Sequence, residues 1–179
     1  MKNPFGNRYD DAHLSKVEQS ESDIEKINYW WKNPSGTLYM CGNAGTGKTY
    51  ICAAFYNQFG WDKCRAYREC DLLAHLRETI NKNWDAITEI KRLCQIEYMI
   101  LDDLGSSSMT DWQKEMLFCF IDERYNNKLP TIITSNLDTK QMKNTFHNRM
   151  FSRLYAKENV VIDLLNSDDR RQNIHFVGK

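Results

Sequence analysis

Thr37-Leu38-Tyr39-Met40-Cys41 runs directly into Gly42-Asn43-Ala44-Gly45-Thr46-Gly47-Lys48-Thr49. The first five residues read as a short β-strand. The next eight fit G-x-x-x-x-G-K-[ST] in full, and Tyr50–Phe59, stopped by Gly60, reads as a helix. Strand, glycine loop and helix in that order are the context in which this spacing binds phosphate. The glycines let the loop wrap until successive backbone N–H groups point inward at an anion. The helix that follows presents the positive end of its dipole to the same place. Lys48 reaches the β- and γ-phosphates as a compact charge, and the Thr49 hydroxyl is a magnesium ligand. Gly42, Asn43, Ala44, Gly45, Thr46, Gly47, Lys48 and Thr49 therefore form the candidate nucleotide loop, with ATP and Mg²⁺ as the expected cofactors.

Such a site needs acids at the end of a second strand. Tyr98-Met99-Ile100-Leu101-Asp102-Asp103 supplies them, four mostly apolar residues followed by two carboxylates. Asp102 is placed to hold Mg²⁺, directly or through water. Asp103 is placed to orient or deprotonate an attacking water.

Outward from these two stretches, the pattern alternates. A helix is expected from about Ser22 to Lys32, with Ile24, Ile27, Trp30 and Trp31 on one side and Asn33-Pro34-Ser35-Gly36 as its stop. Cys64–Arg68 reads as a strand and Asp71–Ile80 as a helix capped by its first residue, with Asn81–Leu93 helical as well. Trp112–Tyr125 is a long helix behind Thr110 or Asp111, Thr131–Thr134 a strand, Thr139–Leu154 a helical stretch and Val160–Asp163 a last strand. Strands alternating with helices imply right-handed crossovers and an α/β fold, a five-stranded parallel sheet flanked by helices. Residues 1–20 are polar and read as an N-terminal extension, a candidate partner contact, ahead of one ATPase domain over residues 21–179.

Composition closes off other classes. The 179 residues suit one packed domain, and 24 Lys+Arg against 24 Asp+Glu give no net charge, which argues against a histone-like mode of nucleic-acid binding. The longest apolar runs, such as Met116–Ile121, are core-sized, so no membrane partner is expected. MKNPFGNRYDD has no apolar signal region, and the six cysteines make no C-x-x-C pair. A reducing cytoplasm with free thiols is the expected setting.

Lys48-Thr49, Leu101-Asp102-Asp103-Leu104-Gly105 and Thr131-Ile132-Ile133-Thr134-Ser135-Asn136-Leu137, in this order, resemble the AAA+ ATPases of the bacterial helicase-loader type, the group that includes the DnaC and DnaI loaders and the IstB transposition helper. The likeness covers about Gly36 to Arg171. It implies a P-loop NTPase fold of AAA+ type with a lid domain vestigial or absent. It also implies that Asn136 is the sensor 1 residue that helps hold the attacking water. Asn148-Arg149-Met150-Phe151-Ser152-Arg153-Leu154 resembles the family's arginine-finger segment. Arg153 fits the finger position best and Arg149 is the alternative. Such a guanidinium, supplied by a neighbouring subunit, neutralises charge on the γ-phosphate. Arg170 resembles the sensor 2 arginine, with Arg171 as its alternative. The chain departs from the family at Asn43-Ala44, where many relatives have prolines, and at Asp103, where many AAA+ proteins have Glu, one methylene longer.

Lys63–Arg92 holds seven basic residues against five acids, and the resemblance turns this region toward single-stranded DNA, with Lys82 and Trp84 as the most suggestive pair. The expected function is a helicase-loader-like ATPase in DNA replication that assembles with a replicative helicase, single-stranded DNA and further copies of itself. The alternatives are a transposition helper and a mobile-element protein that captures a host helicase. A small-molecule kinase would leave Asn136 and an arginine supplied in trans without a role.

Overall fold

The computed structural model describes residues 3–82, 85–146 and 148–165. Five strands form one parallel sheet: β1 (Thr37–Cys41), β2 (Cys64–Arg68), β3 (Tyr98–Leu104), β4 (Thr131–Ser135) and β5 (Val160–Asp163), in the order β2-β3-β4-β1-β5. Every pairing is parallel. The strand with the phosphate loop, β1, is flanked by β4 and β5, and β3 lies on the other side of β4. The C-terminal ends of β1, β3 and β4 therefore converge on one edge.

Helices cover both faces. On one face α1 (Glu21–Lys32) and α2 (Lys48–Phe59) bury Ile27, Trp30, Ile51 and Phe55 against Leu38, Met40, Ile100, Ile132 and Ile162. On the other, α3 (Glu69–Asn81), α4 (Ala86–Leu93), α5 (Asp111–Asn126) and α7 (Asn148–Leu154) bury Leu72, Leu76, Ile90, Leu117, Phe120 and Leu154 against Tyr39, Met99, Leu101 and Ile133. Each fully buried aliphatic side chain is worth about 1.5–3 kcal/mol relative to exposure. A shorter helix, α6 (Thr139–Thr145), precedes α7.

Local chemistry sets the helix ends. Ser20 caps α1 by accepting from the Asp23 N–H at 3.2 Å. Thr110 and Gln113 form a reciprocal capping box at α5, as Asp138 and Gln141 do at α6. Gly60, at φ 84°, ends α2, a conformation that only glycine adopts without strain.

Two helical stretches differ from the sequence reading. The two helical segments read after β2 start elsewhere: α3 starts at Glu69 behind an extended Arg68, so Asp71 lies inside its first turn and does not cap it, and α4 starts at Ala86, not Asn81, behind Asp85, which accepts from the Thr88 N–H. The stretch 139–154 is broken where Phe146 turns extended and buries its ring in the core. In both places a buried contact or a cap overrides continuous helical propensity.

Residues 3–17, polar by composition, lie along α2. Two 3₁₀ turns, Asn7–Tyr9 and Leu14–Lys16, carry them, and Ala12 is buried between Ala53 and Ala54.

Candidate nucleotide-binding site

The loop Gly42–Thr49 sits where the β1 pattern ends and α2 begins. Gly42, Gly45 and Gly47 have φ of 147°, 87° and 93°, and a Cβ on Gly42 would lie 2.6 Å from the Leu164 carbonyl carbon. The loop is thus wedged against the chain leaving β5, where the Leu164 N–H donates to the Cys41 carbonyl at 2.7 Å. Asn43, which stands where proline is common, donates its side-chain amide to the Leu165 carbonyl at 2.7 Å. This side-chain tether ties the loop to the chain that leaves β5.

Lys48 is buried. Its Nζ donates to the Gly42 and Asn43 carbonyls, both at 2.7 Å, and to Thr46 Oγ1 at 3.3 Å. An ammonium cradled by loop carbonyls is held at the centre of the loop, where phosphate oxygens compete for its three donors.

Across the loop, Thr49 Oγ1 donates to Asp102 Oδ2 at 3.1 Å, and Thr134 Oγ1 donates to Asp102 Oδ1 at 2.6 Å. Burial pushes the Asp102 carboxyl above its ordinary range, and these two hydroxyls pull it back toward ionisation. Thr134 also accepts from the Asp103 backbone N–H at 2.9 Å. Asp103 sits at φ 64°, left-handed for a non-glycine residue, and the β3–β4 register shifts between Leu101 and Leu104. Asp tolerates this region better than most residues. The kink turns consecutive carboxylates to different tasks: Asp102 faces Thr49, and Asp103 Oδ1 accepts from Asn136 Nδ2 at 2.5 Å.

Two residues that sequence reasoning missed complete this arrangement. Thr134 reads as an ordinary β-branched strand residue, and its role depends on the β3–β4 pairing. Glu69, fully buried at the start of α3, accepts from the Gly105 N–H and from Ser107 Oγ, so it holds the turn just beyond Asp103. Burial raises its carboxyl above the usual range, and both hydrogen bonds oppose that shift.

Lys48, Thr49, Asp102, Asp103 and Asn136 line one cavity of about 470 Å³, together with Arg68 and residues of the N-terminal segment. The structure does not bring Arg153 there. Its Nε donates to Asp122 Oδ1 at 2.6 Å and its guanidinium lies 5.0 Å from the centre of the Tyr125 ring. Arg149 is more open, with its side chain 63% exposed and a 4.0 Å ion pair to Glu115. Arg170 and Trp84 lie outside the described residues. Of the basic residues on Lys63–Arg92, Arg68 pairs with Asp71, Lys82 with Glu78 and Arg92 with Glu89. The Arg92 pairing holds the Glu89 carboxyl down at about 2.

Residues 21–161 match the IstB-like ATP binding protein family. The chain belongs to that family. Its ATP-binding character thus joins the loop geometry above. The chain is 30% identical over 154 residues to the replicative helicase loader DnaI of Bacillus subtilis (strain 168), covering 84% of this chain and 48% of DnaI. It therefore spans about half the length of that relative. The fold is that of AAA+ P-loop ATPases. A crystal structure of the DnaC helicase loader superposes with a TM-score of 0.72 at 24% identity over 88% of this chain and 99% of that one. AMPPCP-bound DnaA from Aquifex aeolicus superposes with a TM-score of 0.72 at 19% identity over 89% of this chain and 52% of that one. Among its described residues this IstB-like protein has no helix long and apolar enough to cross a membrane.

Proposed function

We propose that this chain hydrolyses Mg·ATP as a switch of the helicase-loader type. In the ATP state it would assemble with a replicative helicase, with single-stranded DNA and with further copies of itself. The observation that carries the reading is the composition of the 470 Å³ cavity: it holds Lys48, Thr49, Asp102, Asp103 and Asn136, and neither arginine of α7 lines it. A γ-phosphate site with a water-positioning pair, from which both α7 arginines are turned away, fits an enzyme completed by its neighbour. A self-contained kinase needs no such neighbour.

The residues fit the expected groups. Thr49 and Asp102 offer hard oxygen donors for Mg²⁺, which would shield the phosphate charge. Loop N–H groups and Lys48 would bind the phosphates. Asp103, steadied by Asn136, would align water for attack and accept its proton. Arg153, or Arg149 one turn earlier, would reach the next subunit's γ-phosphate; Arg153 must first leave Asp122. Arg170, or Arg171 beside it, would contact the chain's own nucleotide. The IstB-like family match keeps a transposition helper as the second reading, which shares this chemistry and differs in its partner.

The test mixes two inactive variants. Arg153→Ala should bind ATP nearly normally and hydrolyse it poorly, and Lys48→Ala should do neither well. Together they should regain activity, because one contributes the arginine and the other the phosphate site; Arg149→Ala in the same mixture identifies the finger. Wild-type turnover should rise faster than linearly with protein concentration and rise again with single-stranded DNA or a replicative helicase. A mixture that stays inactive beside a wild type fully active as a dilute monomer overturns the reading.

A further inference from the structure

The N-terminal segment is fastened to the ATPase core at both ends of the candidate site. Asn57, on α2, holds one end: its Nδ2 donates to the carbonyls of Tyr9, Asp10 and Ala12 at 3.0, 3.2 and 2.9 Å, and its Oδ1 accepts from Asn3 at 3.2 Å. Phe5 and Tyr9 meet Tyr56 and Tyr50 edge to face. At the other end Gln19 Nε2 donates to the Thr46 carbonyl at 2.7 Å, a carbonyl of the phosphate loop itself.

The strap between these anchors walls two cavities. One, about 410 Å³, lies between Val17–Gln19 and the residues that open α2. The other is the 470 Å³ cavity of Asp102, Asp103 and Asn136, and there the strap contributes Arg8. Tyr9 lines both, so it marks the passage from one to the other.

The charges in the second cavity are unequal to a γ-phosphate without help. Asp102, Asp103 and Lys48 line it, and a γ-phosphate brings about two further negative charges, so even with the Mg²⁺ that Thr49 and Asp102 would hold the site is short of positive charge. Arg68 also lines the cavity, but its guanidinium is committed to Asp71 in a fork of 2.8 and 3.1 Å. Arg8 has no carboxylate partner among the described residues. It stacks 4.6 Å from the centre of the Tyr9 ring and donates to the Tyr9 hydroxyl at 2.7 Å, which fixes its plane and leaves further N–H groups to give.

We propose that Arg8 is a γ-phosphate ligand acting within its own subunit, and that the Asn57-anchored strap makes the site distinguish ATP from ADP. The proposal rests on the nucleotide-site reading above and adds a residue to it. ADP leaves the outer part of the cavity without phosphate, so Arg8 gains a charge-assisted hydrogen bond only with ATP.

Calorimetric titration with Mg·ATP and Mg·ADP tests this. Arg8→Ala should weaken ATP binding about tenfold while ADP binding stays within about twofold of wild type. Arg8→Lys should recover part of the loss. Asn57→Ala, which frees the strap without touching the cavity, should give the same ATP-selective loss. Cleavage of the strap by trypsin after Arg8 should be slowed by ATP more than by ADP. If Arg8→Ala leaves both affinities unchanged, or lowers both equally, the strap is a wall and not a ligand. A wild type that binds neither nucleotide overturns the site reading itself, and this inference with it.

Discussion

Two buried cations occupy opposite edges of the same sheet, and they are opposites in use. Lys48, 6% exposed at the C-terminal edge, donates to the carbonyls of Gly42 and Asn43. Arg124, 1% exposed at the N-terminal edge, donates to the carbonyls of Ile96, Glu97 and Pro130 and to Thr131 Oγ1. Both are positive groups bonded to backbone oxygens. Arg124 is locked: its planar fork ties the entries to β3 and β4 together, no carboxylate pairs with it among the described residues, and burial lowers its pKa to about 10. Lys48 sits in a loop that glycines at positive φ allow to wrap, with Asp103 at φ 64° across from it. Left-handed backbone does not tell the edges apart, for Lys128 at φ 51° stands just ahead of β4 at the Arg124 edge; the acids Asp102 and Asp103 beside the glycine loop mark the working end of the sheet. A buried cation alone does not.

The first effect that sharpens this contrast is on stability. Arg124→Met keeps the volume but strips the donors from the Ile96 and Glu97 carbonyls. An unpaired carbonyl costs about 1–3 kcal/mol when buried; these are only partly buried, so urea unfolding should show a loss of about 2 kcal/mol. A loss under about 1 kcal/mol would mean that the fork is dispensable.

The next effect is on turnover. Asp103→Asn preserves the side-chain shape and a residue type that tolerates left-handed φ, so the fold and ATP binding should persist. Hydrolysis should fall about 100-fold, within the range for removing a general base. Wild-type turnover in this variant would separate Asp103 from the attacking water.

Much of this was legible in the sequence because it is local. Gly42–Thr49 is one uninterrupted pattern, and Leu101-Asp102-Asp103 is a strand that ends in acid. The strand assignments rest on the same short-range signals, and β5 falls on Val160–Asp163 as read. What escaped depends on contacts between distant parts of the chain. Thr134 joins the Asp102 carboxylate to the Asp103 backbone N–H only because β4 pairs with β3. Glu69 looks like one more surface acid until α3 docks it under Gly105. The segment ahead of α1 is polar in composition, yet one amide on α2 satisfies three of its carbonyls. Arg124 sits in the last turn of α5 behind Asp122 and Glu123, and nothing in its neighbours announces a buried fork.

The central claim is that the C-terminal edge of the sheet is a phosphate site organised around Lys48. The most direct measurement is the affinity for Mg·ATP of the wild type and of Lys48→Ala, with thermal unfolding of both recorded alongside. The account predicts that ATP affinity falls at least about tenfold, about 1.4 kcal/mol, while the melting temperature hardly moves. Equal ATP affinity in the two proteins would contradict it, for then Lys48 would be a structural cation like Arg124.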